Sequence, residues 1–214
     1  MLTARVGPRF TQGGCLGDII LLSGAAVYLG RRLAQVGLGV RVVSSNYCAN
    51  SVRDLFRRHP HVEVCTALNE QETHQNWPKL VDLNDASALV STLGETPAEW
   101  YRQLGVPFRH CWDSCPIREL TDPIPPAHSS VVFVHDDKSR NQIIPVEGYR
   151  PPMTDSIFDH VPMLKAAVEI WCMNSCFFHF IEAMGLLKAR LFYDLRVRKP
   201  YKDLPLQQPW TVIS

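Results

Sequence analysis

Short β-type runs alternate with amphipathic runs over residues 3–65, and this restricts the chain to an α/β arrangement with a mostly parallel sheet. A first strand is expected within residues 3–12, its limits blurred by Pro8. The next segment reads as a helix from Ile19 to Val36, because Ile19, Leu22, Ala26 and Leu29 fall on one face and Gly37 stops it. Gly24 and Gly30 lower its helix propensity and read as points of close packing against a neighbour. Val40 to Val43 then reads as a buried strand, Ser51 to Arg58 as a short helix ended before Pro60, and Val62 to Cys65 as a third strand.

The middle of the chain is less regular. Leu80 to Leu83 is a strand candidate, and Thr96 can cap a helix with Pro97 at its first position that runs to Leu104. Pro107, Pro116, Pro123, Pro125 and Pro126 mark a linker. Beyond it, Val131 to His135, Val168 to Cys172 and Leu191 to Leu195 read as strands. Asp159 can cap a helix reaching Ala167, and Asn174 or Ser175 a second one reaching Met184 and stopping at Gly185. The proline-bearing tail reads as an irregular wrap. Two α/β halves follow, residues 1–115 and 127–214.

A chain of 214 residues, 46% apolar and 20% charged, can bury a substantial core. Its net charge of +1 demands neither a nucleic-acid nor an anionic membrane partner. Seven cysteines, an odd count in a chain this size, suggest reduced thiols and a cytoplasmic protein. Cys111 and Cys115, like Cys172 and Cys176, stand four apart, wider than most zinc pairs, so buried thiols are preferred and no metal is expected. No signal peptide is visible, and the apolar run after Leu16 is too short and interrupted to span a bilayer.

Three clusters carry candidate chemistry. In Gly13-Gly14-Cys15-Leu16-Gly17-Asp18 the glycine spacing is wrong for a dinucleotide fingerprint, and Ser44, Ser45 and Asn46 stand where an acid would end the second strand. Asp18 is either a helix-dipole partner or, in a cleft, a base for a hydroxyl nucleophile. Lys138, Ser139 and Arg140 follow a strand and form either a solvated turn or a cationic brace for a leaving diphosphate. Asn174, Ser175 and His179 open a helix whose N–H groups could grip a phosphate, or are a plain cap with a packed histidine. Glu182 reads first as solvent-facing, and second as an acceptor for a ribose or sugar hydroxyl.

The run from Gly14 to Ile20, with Val40-Arg41-Val42-Val43, resembles the opening of heptosyltransferase-like glycosyltransferases of the GT-B fold. Phe158-Asp159 and the run from Glu169 to Phe177 resemble the donor-side half of small bacterial or phage relatives. The resemblance implies two Rossmann-like halves and a nucleotide-sugar donor held mainly by the second. It implies Asp18 as general base, Lys138 or Arg140 on the diphosphate, Asn174-Ser175 near the donor phosphates, and no bound metal or other cofactor. The phage relatives raise modified DNA as one acceptor class. The chain is short for a two-domain transferase, so the alternative is a non-catalytic carbohydrate- or nucleotide-binding protein.

Overall fold

The computed structural model describes residues 3–5, 16–37, 39–67, 96–128, 130–185, 187–196 and 204–214. The expected strand at Leu80 to Leu83 and the turn at Gly13-Gly14 lie outside the described residues. The chain divides into two compact units, Met1–Pro116 and Ile117–Ser214.

The first unit runs β1 (Thr3–Arg5), α1 (Leu16–Ala34), β2 (Gly39–Ser45), a 3-10 turn (Asn46–Cys48), α2 (Ala49–Phe56), β3 (Val62–Ala67), α3 (Pro97–Gln103) and α4 (His110–Asp113). Its strands pair in parallel in the order β1-β2-β3, with Val40 opposite Val62 and Ser45 opposite Ala67. Helix α1 begins three residues before the expected start and is buried on all sides from Ile19 to Val27, not along one stripe. The cause is its position between β2 on one side and α3 and α4 on the other. Helix α3 starts as its sequence requires: Thr96 Oγ1 accepts from the Glu99 N–H, Glu99 Oε2 accepts from the Thr96 N–H, and Pro97 opens the first turn.

Tyr101 of α3 reaches into α1. Its hydroxyl accepts from the Ala25 N–H at 3.0 Å and donates to the Leu21 carbonyl at 2.8 Å, the two groups that an α-helix pairs with each other. The phenol is wholly buried, and burial pushes its pKa well up, so it stays a neutral bridge. Tyr101→Phe takes that partner from both buried backbone groups and leaves the Leu21 carbonyl the Cys111 thiol at 3.4 Å. It should cost the fold about 1–3 kcal/mol in urea denaturation. A change below about 0.5 kcal/mol would show that the ladder closes on its own.

The second unit runs α5 (Ile117–Thr121), β4 (Val131–His135), 3-10 turns at Lys138–Arg140 and Ile157–His160, α6 (Val161–Ala166), β5 (Ala167–Cys172), α7 (Cys176–Met184), β6 (Arg190–Asp194) and β7 (Trp210–Ile213). All four strands are parallel, in the order β4-β5-β6-β7. Phe133, Ile170, Cys172, Leu191, Tyr193 and Trp210 are buried on their strands, and α7 adds Phe177, Phe178, Phe180 and Ile181 to the buried set. Phe178 stacks on Tyr193, ring centroids 4.1 Å apart.

Three expectations are corrected. The tail is not wholly irregular: Trp210–Ile213 extends the sheet, a strand disguised by its length and by Pro205 and Pro209 before it. The proline-rich stretch is not bare linker, because α4 and α5 lie within it, and the unit boundary falls between Pro116 and Ile117. Ser156, not Asp159, caps the turn before α6. Its hydroxyl accepts from the Phe158 N–H, and Asp159 accepts the Ser156 N–H in return.

Candidate functional site

The chemistry-bearing residues of the second unit gather at the carboxyl ends of its strands, the edge where parallel α/β sheets hold ligands. β4 ends at His135, and the chain then folds back on itself. Asp137 and Gln142 exchange both backbone hydrogen bonds around a 3-10 turn, and Asn141 closes it with φ 56°. Asp137 accepts from the Ser139 hydroxyl at 2.6 Å and the Arg140 N–H at 3.3 Å, and Arg140 Nε lies 3.3 Å from its other oxygen. The Ser139 hydrogen bond, backed by Arg140, holds the Asp137 carboxyl below the usual carboxylate range. Lys138 and Arg140 are exposed on this turn.

Asp136 serves the fold instead. Its nearly buried carboxylate takes Nε and Nη2 of Arg150 and the Ile144 N–H. Arg150 in turn donates to the Ile144 and Val146 carbonyls, which pins residues 144–150 beside the Val134, Ile144 and Met173 cluster.

β5 leads through Met173 and Asn174 to Ser175, the cap of α7. The Ser175 backbone is extended (φ −156°, ψ 175°), and its Oγ accepts from the Phe178 N–H at 3.4 Å. The same oxygen is 3.0 Å from His135 Nδ1 on the neighbouring strand. Burial pulls the His135 pKa down to about 4. Nearby Asp136 and Asp137 offset part of that, and His160 adds to it, so the imidazole is neutral at pH 7. Phe177 packs against both rings, with centroids 4.4 Å from His135 and 5.3 Å from His160.

Of the other expected residues Asn174 stays at this edge, while His179 and Glu182 lie further along α7 and Asp18 lies in the other unit. Asn174 is buried beside Ser175. His179 is buried one turn into α7, its ring edge-on to Phe178 at 5.3 Å. Glu182 is buried, which corrects the expectation of a solvent-facing acid. Its oxygens accept from the Gln207 N–H at 2.6 Å and from Trp210 Nε1, so it latches the last strand to α7. Burial raises its pKa against these donors. Asp18 lies in the first turn of α1, in the other unit, beside the buried Gly17.

Sequence reasoning missed one pair at the same edge. β6 ends at Asp194, whose side chain is fully buried. It accepts from Arg196 Nε at 2.9 Å, Arg196 Nη2 at 2.6 Å and the Arg196 N–H at 3.0 Å. These bonds hold the Asp194 carboxyl below its usual range. An acid and an arginine two apart at a strand end was the available signal, hidden by ordinary β alternation.

Among the described residues no group of three or more His, Cys, Asp or Glu is arranged to hold a metal ion, and no helix is long and apolar enough to cross a membrane. Cys48, Cys111 and Cys172 are buried thiols, and burial pushes the last two well above the usual thiol range. No protein-family model, curated protein or solved structure significantly matches this chain.

Proposed function

We propose that the second unit binds the diphosphate of a nucleotide sugar at the carboxyl edge of its sheet, and that the chain transfers the sugar to an acceptor hydroxyl. The observation that carries this reading is the pairing of β4 with β5, with His135 opposite Cys172. The Lys138–Arg140 turn and the start of α7 therefore leave adjacent strands at one edge, tied by the His135–Ser175 contact. Two cations and a helix start suit a leaving diphosphate as its charge develops. In the transfer step a base takes the proton of the acceptor hydroxyl, whose oxygen attacks the anomeric carbon while the nucleoside diphosphate departs, and Asp18 of the first unit is the base that the family resemblance implies. The residues proposed for the diphosphate all belong to the second unit and Asp18 to the first, which also favours a simpler reading, donor binding without transfer.

A thermal-shift panel of nucleotide sugars and nucleoside diphosphates tests the binding. Saturating donor should add about 3 kcal/mol at a hundredfold excess over Kd. The double substitution Lys138→Ala with Arg140→Ala should weaken binding at least about tenfold at low salt. Binding by no member of the panel would refute the reading. Turnover with a sugar acceptor, abolished by Asp18→Asn, separates the transferase from the binding protein; turnover unchanged in Asp18→Asn would remove Asp18 as the base.

A further inference from the structure

The geometry points to Arg196, aimed by the buried Asp194, as the residue that takes the second phosphate of a diphosphate ligand. This rests on the donor-site reading above. Asp194 is charged, fully buried and at the end of a strand, an expensive placement that adds little stability over an apolar pair. What it achieves is orientation. The carboxylate occupies the Nε–Nη2 side of the guanidinium and also holds the Arg196 N–H, so the fork is held in one plane. Nη1 remains for a second acceptor, on a side chain that is 49% exposed.

The strand order supplies the rest. β4, β5 and β6 are consecutive neighbours, with His135 opposite Cys172 and Cys172 opposite Tyr193. Three adjacent strand ends thus lead to the Lys138–Arg140 turn, to the start of α7 at Ser175, and to Arg196. Strands lie about 4.8 Å apart, so these three strand ends span about 10 Å. That is wider than one phosphate needs and suits two linked phosphates. The ligand class is a diphosphate, free or within a nucleotide.

Calorimetric titration of the full chain with pyrophosphate and with inorganic phosphate, at constant ionic strength, tests this. The wild type should prefer pyrophosphate by about tenfold or more. Arg196→Gln should erase that preference while leaving phosphate affinity within about twofold. Because Arg196→Gln strands a buried carboxylate, the double variant Asp194→Asn with Arg196→Gln is measured beside it, with circular dichroism to confirm the fold. Arg196→Lys keeps the charge without the planar fork and should recover less than half of the preference. If both Arg196→Gln variants keep the wild-type preference while Lys138→Ala with Arg140→Ala loses affinity, Arg196 has no ligand role and the site reading stands. If the wild type binds neither pyrophosphate nor a nucleoside diphosphate, both fall.

Discussion

Gly24→Ala should destabilise the first unit by about 3 kcal/mol or more, a large part of a domain's whole stability. Gly24 lies in the middle of α1, where α4 crosses. A Cβ built on it would stand 1.8 Å from the His110 carbonyl oxygen and 2.8 Å from its carbon. Both are backbone atoms, so no rotamer change relieves the clash and α4 would have to move. Around this contact Tyr28 stacks on His110 at 4.2 Å, and Cys111 donates to the Leu21 carbonyl. The helix-propensity gain of alanine over glycine, about 1 kcal/mol, is too small to compensate. Gly30 in the same helix is the control, since its added Cβ would meet the His61 carbonyl and Val62 at 3.3 Å, a gap that small shifts absorb. Gly30→Ala should change stability by less than about 1 kcal/mol. Equal urea midpoints for Gly24→Ala and the wild type would mean that α1 and α4 do not meet here.

The second large effect is acid sensitivity centred on His135. Its folded pKa of about 4 lies below the ordinary 6.5, so between these values the unfolded chain holds a proton that the folded chain refuses. Stability from this residue is therefore complete above pH 6.5 and falls as the pH drops, by up to about 3 kcal/mol at pH 4. His160, also lowered by burial with Asp159 acting against it, shifts stability in the same direction. Glu182 works the other way. Its raised folded pKa gives stability that is present at low pH and lost as the pH rises through that pKa. The clean measurement is thus a difference. Urea unfolding of the wild type and of His135→Asn across pH 7 to 4 should show the wild type losing about 3 kcal/mol more. Parallel pH profiles for the two proteins would show that His135 is protonated freely in the folded state.

Much of the local structure was legible in the residues. The Thr96-Pro97 cap, the stop of α7 at Gly185 and the alternation of strands with helices each depend on neighbours a few positions apart. β7 was not legible, because four residues behind two prolines carry no periodicity of their own. They become a strand when Trp210 meets Tyr193 and Phe178, and when Glu182 holds Gln207 and Trp210. Within the candidate site, Lys138, Arg140 and Ser175 were visible because each follows a recognisable strand. Asp194 and Arg196 were not, because only the fold buries the Asp194 carboxylate and sets it at the end of the third neighbouring strand.

The sequence by itself determined the longer helices, the strands between them and the ends at Thr96 and Gly185, since propensity, periodicity and side-chain capping act within one or two turns of chain. Only the tertiary structure decided which strand ends lie side by side. It also decided that Gly24 is a crossing point, that Tyr101 bridges the backbone of α1, and that Glu182 is a buried latch. Each depends on a contact between segments far apart in the chain, where burial and close packing act and local preference carries no information.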